Sequence, residues 1–369
     1  MVLANAQKTM TAHPREYQHP ALVHPFPDYP APGTTIEVAS GIHWLSTPLP
    51  FRLRAINLYL LEERDGWTII DCGYARPDVR AQWEAVWAGT LGGKPVTRLI
   101  VTHFHPDHIG NSAWIAERWQ VRPTMTQGEW LTAHLALRDR DAEHREALYR
   151  FYRANGLDAE REQVLRAGIV PYSSGVELPA SFNRLIDGDE LTIGGRSWRV
   201  IVGGGHSPEH ASLYCDDYDG CGVLIAGDQL LPEITTNVSV WPGEPDADAL
   251  GHFLASQERF AEILRPDTLV LPAHRRPFRG VHARIEELRK HHRERLATLL
   301  GILEKGPLSA GELVPHLFAP GLDGHQTMFA MGEALAHLNY LLHRGKLARL
   351  VEGGLSRFRL AGPLPAPSI

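Results

Sequence analysis

Cysteine is scarce: the 369 residues contain three, Cys72, Cys215 and Cys221. They are too few and too scattered for a disulfide framework, and they suit a reducing compartment. No run of 18 apolar residues occurs, so no helical membrane span is expected. The opening segment, MVLANAQKTMTAHPREYQHP, lacks an apolar core and does not read as a secretory signal. An excess of one charge is also missing: the net charge is −6. No basic field therefore marks a nucleic-acid or membrane-surface binder. Residues 280–369 carry 11 Lys/Arg against 8 Asp/Glu, a mild contrast that reads as a solvated helical surface. Repeats and low-complexity segments are lacking too. These absences leave a cytoplasmic globular protein. Its 43% hydrophobic and 22% charged residues suffice for two domains.

Proline is plentiful at the start. Pro14, Pro20, Pro25, Pro27, Pro30 and Pro32 would break any helix or central strand, so residues 1–35 read as an extended arm. It would lie on the domain or reach a partner subunit. Strand-like runs follow: IEVASGIHWLSTP, AINLYLLEE and WTIIDCG, the last two separated by an Arg64-Asp65-Gly66 hairpin turn. Val79, Trp83, Val86 and Trp87 recur at helical spacing in 77–91. VTRLIVTHF reads as a buried strand, with a helix starting near His108 and running through NSAWIAERW. Residues 127–168 carry no strand signal and read as a helical insertion. Strands resume with RLIDGDELTIGGRSWRVIVGGGH, ASLYCDD and GCGVLIAGDQL; a helix over 247–264 and the strand DTLVLPAH follow. The catalytic domain is placed at 36–279. Residues 280–369, three helices and a short β ribbon, have the order of a winged-helix module.

Histidine is abundant, at 20 residues. Three cluster in Thr102-His103-Phe104-His105-Pro106-Asp107-His108, at the end of an apolar strand. Residues two apart on extended backbone point the same way, so His103 and His105 can converge on one ion. Asp107 and His108 fall where the chain turns for the helix and can face a second. Imidazole and carboxylate suit a borderline divalent metal: zinc first, with iron or manganese also accepted. His206, Asp228 and His274 each lie just past an apolar strand, as sites in layered α/β proteins do.

These residues resemble the metallo-β-lactamase superfamily. Residues 103–108 match its H-x-H-x-D-H motif in full, and the later His, Asp and His match at 206, 228 and 274. Asp71-Cys72-Gly73 resembles the strand-loop that supports the metals, making Asp71 a candidate support. The resemblance covers about 36–279 and implies an α/β fold, an αββα sandwich with metals at one edge. Carried over, His103, His105 and His206 hold the first metal, Asp107, His108 and His274 the second, and Asp228 bridges them. Aspartate at 228, where dinuclear β-lactamases often use cysteine, argues against antibiotic hydrolysis. His105, where diiron reductases carry glutamate, argues against a redox role. The joined architecture is similar to β-lactamase-like proteins with a C-terminal winged helix, a group that includes thioesterases and an endoribonuclease.

The expected activity is hydrolysis of a small-molecule ester or thioester, such as an acyl-CoA. Two ions about 3.5–4 Å apart would share a water, lower its pKa and supply a bridging hydroxide, with Asp107 and Asp228 orienting it. Substrate contacts are expected from Thr235, Asn237 and Trp241, in the loop after Asp228. A roof of His134, Arg138, Tyr149 and Tyr152 is expected from the helical insertion, with Arg138 on phosphates. The alternative is a metal-dependent ribonuclease or phosphodiesterase that binds nucleic acid through the C-terminal domain; the acidic main domain argues against it. The arm and helical tail are compatible with a homodimer.

Overall fold

The computed structural model describes residues 21–51 and 53–362. Residues 1–20 of the expected arm and 363–369 of the tail lie outside them. Strands β1 (Ile36–Ala39), β2 (Ile42–Pro48), β3 (Ala55–Glu63) and β4 (Gly66–Ile70) form an antiparallel meander. The β3–β4 hairpin turns at Arg64-Asp65 and pairs Glu63 with Gly66, the turn that X-Asp-Gly signals. Strands β5 (Val96–Ile100), β6 (Pro123–Thr126) and β7 (Asn183–Leu185) extend this sheet in parallel, in the order β1-β2-β3-β4-β5-β6-β7. The second sheet has the order β12-β11-β10-β9-β8. It comprises β8 (Glu190–Ile193), β9 (Arg196–Gly203), β10 (His210–Tyr218), β11 (Cys221–Gly227) and β12 (Leu269–Pro272).

The period-2 alternation of the strands builds the layers. On β3, Tyr59 and Leu61 point between the sheets, meeting Trp198, Val200, Leu213, Ile225 and Leu271 of the other sheet. Leu58 and Leu60 point the other way, onto α1 (Pro77–Ala88), whose buried face is Val79, Trp83, Val86 and Trp87 as their spacing predicts. Leu224 and Ala226 of β11 face outward onto α7 (Ala249–Ile263) and the C-terminal helices. The result is an αββα sandwich.

The helix expected near His108 comes in two pieces. Pro106 opens α2 (Pro106–Ile109), and α3 (Ser112–Trp119) follows after Gly110. A Cβ at Gly110 would lie 2.4–2.5 Å from three carbonyl oxygens, so glycine alone admits that close passage. The insertion is helical: α4 (Gln127–Ala136), α5 (Ala142–Ala154) and α6 (Ala159–Gly168). Strand β6, just before it, was not legible as a strand: PTMT is four residues long and begins with proline. Of the arm, residues 21–35 lie on the sandwich; Val23 bridges Arg279, and Phe26 and Tyr29 pack against the inter-sheet core.

The C-terminal segment consists of α8 (Val281–Leu303), α9 (Ala310–Leu317), α10 (Gly324–His343) and the ribbon β13 (Leu347–Glu352) and β14 (Leu355–Leu360). Capping boxes at Ser309/Glu312 and Asp323/Gln326 start α9 and α10. The basic run on α8 is neutralised locally: Arg293 pairs with Glu286 at 2.7 Å, and Arg289 with Glu258 at 3.3 Å. No helix among the described residues is long and apolar enough to cross a membrane.

Candidate metal centre

All seven sequence-predicted ligands meet at one edge of the sandwich. Four follow β5; His206 follows β9, Asp228 follows β11 and His274 follows β12. They form two donor groups, His103–His105–His206–Asp228 and Asp107–His108–His274, each with its donor atoms within 4.8 Å of one another. In the first, His103 Nε2 lies 2.9 Å from His105 Nδ1 and 3.2 Å from His206 Nε2. In the second, His274 Nε2 lies 3.4 Å from Asp107 Oδ2. Asp228 stands between them: Oδ2 is 3.4 Å from His206 Nε2 and 3.6 Å from His108 Nε2, and Oδ1 is 3.3 Å from His274 Nε2.

The far ring nitrogens are held by the protein. His108 Nδ1 meets Asp71 Oδ2 at 2.7 Å, His206 Nδ1 the Asn237 carbonyl at 2.7 Å, and His274 Nδ1 the Ala55 carbonyl at 3.0 Å. That turns each Nε2 towards the centre. Asp71 does more than was expected of it. Its oxygens also accept from the Thr102 amide and hydroxyl, both at 2.8 Å, and it reaches them from φ +61. This buried carboxylate thus fixes both the end of β5 and a ligand.

Charge within the site follows from burial and neighbours. Burial and adjacent imidazoles hold His103 neutral, well below the usual histidine range, and burial chiefly lowers His105 to about 3. Both present the neutral form that binds metal. Burial opposes charge on His108, but Asp71, Asp107 and Asp228 outweigh it and push the pKa well up; for His274, Asp228 and Asp107 overcome burial and raise it to about 10. Burial would raise Asp107, yet the charges of His108 and His274 bring it down to about 2.

The donor set fits divalent ions. His108 Nε2 is fully buried and makes no hydrogen bond, though it faces Asp228 Oδ2 at 3.6 Å and Asp107 Oδ2 at 3.8 Å. Such a gap between donors matches two metal–ligand bonds of about 2.0–2.2 Å meeting at an angle. An orphaned buried nitrogen is costly without an ion and satisfied with one.

Two supporting residues escaped the sequence reading. His210 is completely buried, and its Nε2 accepts the Asp228 amide at 3.0 Å. Glu129 is also completely buried; it accepts from the amides of Phe104 and Glu209 and from the Ser207 hydroxyl at 2.7–2.9 Å. It ties the first ligand loop to the His206 loop. The spacing His206-x-x-x-His210 was visible, whereas nothing local distinguishes Glu129 from a surface glutamate.

Two of the expected substrate contacts, Tyr149 and Tyr152, need correction. Tyr152 is completely buried with its hydroxyl on the Met328 carbonyl, and Tyr149 is buried beneath Arg166. Both belong to the core, because their i, i+3 spacing serves the buried face of α5. Arg138 is exposed and paired with Asp141, and exposed His134 packs edge-on against Trp130. Thr235 is exposed in a separate groove of about 370 Å³ with Glu233, Arg284 and His291. Asn237 acts through its carbonyl on His206. Trp241 faces Phe329 at 6.5 Å.

An αββα sandwich with two donor groups at its strand ends is the arrangement of a metallo-hydrolase, with side chains that could hold two ions. The description "Metallo-beta-lactamase superfamily" matches residues 51–274, and "Metallo-beta-lactamase-like, C-terminal domain" matches 296–361. The chain belongs to the metallo-beta-lactamase superfamily. A beta-lactamase domain protein from Burkholderia ambifaria is 44% identical, with TM-score 0.84, over 92% of this chain and 98% of its own. The "Probable metallo-hydrolase YqjP" of Bacillus subtilis is 23% identical over 85% of this chain and 96% of its own. A hydroxyacylglutathione hydrolase of Idiomarina loihiensis is 26% identical over 58% of this chain and 66% of its own.

Proposed function

We propose that this protein hydrolyses a carboxylic ester or thioester of a small molecule, using two divalent ions, zinc first among them. The observation that carries the reading is Asp228, set within 3.3–3.6 Å of ligands from both donor groups. The named activity of the Idiomarina relative, on an acyl-glutathione, supports the acyl class. His103, His105, His206 and Asp228 would hold one ion, and Asp107, His108, His274 and Asp228 the other. When bound, such ions polarise a carbonyl oxygen and bring the pKa of water towards neutrality.

The chain's own part is positional. Asp71, Asn237 and Ala55 keep three imidazoles in register. Glu129 and His210 hold the loops that carry His105 and Asp228. The Asp107 side chain is 14% exposed against 9% for Asp228, so it is the carboxylate open to water. Its Oδ1, the oxygen not turned to His274 and His108, can accept a hydrogen bond from the attacking water and orient it. We read the C-terminal segment as a winged-helix-like unit that packs on the catalytic domain and not on nucleic acid, because most of its basic residues, Arg284, Arg289, Lys290, Arg293, Arg344, Arg349 and Arg357, are paired with acids.

The test combines elemental analysis with a hydrolysis screen over acyl-CoA and acyl-glutathione thioesters, lactones, phosphodiesters and single-stranded RNA. Near two metals per chain and chelator-sensitive cleavage of an ester or thioester are expected. Cleavage of RNA or phosphodiesters alone would overturn the acyl reading. Asp228→Ala should abolish both metal loading and turnover, by about a thousandfold or more in kcat.

A further inference from the structure

Five rings run in contact from the loop that carries Asp71 to the loop that leaves Asp228. Tyr74, three residues past Asp71, meets Phe51 edge-on at 5.6 Å. Phe51 stacks on His325 with centroids 5.2 Å apart and planes within 11°. His325 meets Phe329 at 4.4 Å, and Phe329 faces Trp241, on the loop that leaves Asp228, at 6.5 Å. Tyr74 is buried; Phe51, His325, Phe329 and Trp241 are each partly exposed. The loop that carries Phe51 ends at Ala55, whose carbonyl holds His274. Through Phe51, His325 is thus joined to the loop that fixes the His274 ring. The strip therefore borders the donor groups.

His325 and Phe329 belong to α10, not to the catalytic sandwich, and their placement is rigid. Gly324 lies against Gly168, where an added Cβ would come 2.7 Å from the Gly168 Cα. The Gly332 carbonyl accepts from Val240, two residues before which Val238 enters the core. Among the described residues no hydrogen bond is recorded to the His325 ring, although burial disfavours its charged form. A neutral imidazole set between two phenyl rings presents an apolar face, with its two ring nitrogens at the edge.

We propose that this strip selects the acyl group, with His325 as a specificity-determining residue that favours an aryl or arylalkyl acyl chain over a short one. The assignment rests on the ester-hydrolase reading above. A flat acyl group lies along the rings while its carbonyl reaches the centre, so its burial stabilises the transition state as well as the bound ester. An acetyl group has no flat apolar surface to lay along the rings.

The experiment compares phenylacetyl and acetyl esters that share a leaving group, on metal-loaded wild type, His325→Ala and His325→Phe, with metal content measured alongside. The kcat/KM ratio of phenylacetyl over acetyl should fall about tenfold in His325→Ala and return in His325→Phe. A ratio within twofold of wild type in His325→Ala would overturn the proposal, as would a fall that His325→Phe leaves uncorrected. If wild type cleaves neither ester, the ester reading fails by itself, and calorimetric binding of phenylacetate against acetate decides for the strip. A preference for phenylacetate that His325→Ala removes supports it; equal binding overturns it.

Discussion

Asp71 shows how much one buried side chain can carry. It anchors the Thr102 amide and hydroxyl and the His108 ring. Asp71→Asn keeps the shape but loses the charge-assisted bond to Nδ1. Affinity at the Asp107–His108–His274 group should drop about 10- to 100-fold, with the other group affected less. Metal titration followed by elemental analysis checks this. Gly205 makes a steric prediction. It sits at φ +95 just before His206, and an added Cβ would stand 2.4 Å from the Ala249 carbonyl. Gly205→Ala should cost about 1–3 kcal/mol and displace His206, read as a lower melting temperature and lower metal occupancy. That the seven candidate ligands come together was legible because such residues leave a local trace: chemistry-bearing side chains directly after apolar strands. Glu129 left none, since its role depends on loops from distant parts of the chain. Tyr149 and Tyr152 were misassigned because aromatics at helical spacing look the same whether they face a core or a pocket.

At the scale of elements, α8 and α10 dock through a histidine pair. His292 and His337 are almost completely buried, with Nδ1 and Nε2 3.3 Å apart, and a His337 ring nitrogen meets the Glu333 carbonyl. Burial lowers His292 to about 2 and His337 to about 4. Both folded-state values lie below the unfolded value of about 6.5, so the unfolded chain takes up protons first. The stability they allow is complete above that value and declines as pH falls towards 4. Wild type should lose melting temperature steadily between pH 6.5 and 4. His292→Phe or His337→Gln should flatten that slope, and an unchanged slope in both would remove the pair as its cause. Element order was largely readable, since α1, β3 and β5 announce themselves by period. The break between α2 and α3 was not, because it depends on three carbonyl oxygens crowding Gly110. Nor was β6, a short strand defined by its neighbours.

For the whole molecule, the decisive feature is a shared core. Tyr152 of the insertion, Leu224 of the second sheet, Phe253 of α7, and Leu299, Met331 and Phe358 of the C-terminal segment fall in one buried cluster. Units that share a core unfold together. Calorimetry should therefore show a single cooperative transition, and two resolved transitions would contradict it. The sequence boundary near 280 marks a change of texture from strand-rich to helical, which composition reveals; that both sides enclose one core is a matter of three-dimensional packing and leaves no mark in composition.

The ligand placement also bears on how the molecule holds together. One sheet supplies His103, His105, Asp107 and His108, and the other supplies His206, Asp228 and His274. An ion bound there is a rivet through both layers, joining parts of the chain more than a hundred residues apart. Cargo and keystone become the same object: whatever loosens the sheets loosens the grip on the ions, and whatever strips the ions frees the sheets to part. By mass action, chelator should lower the melting temperature and added zinc restore it, by an amount that grows with free metal concentration.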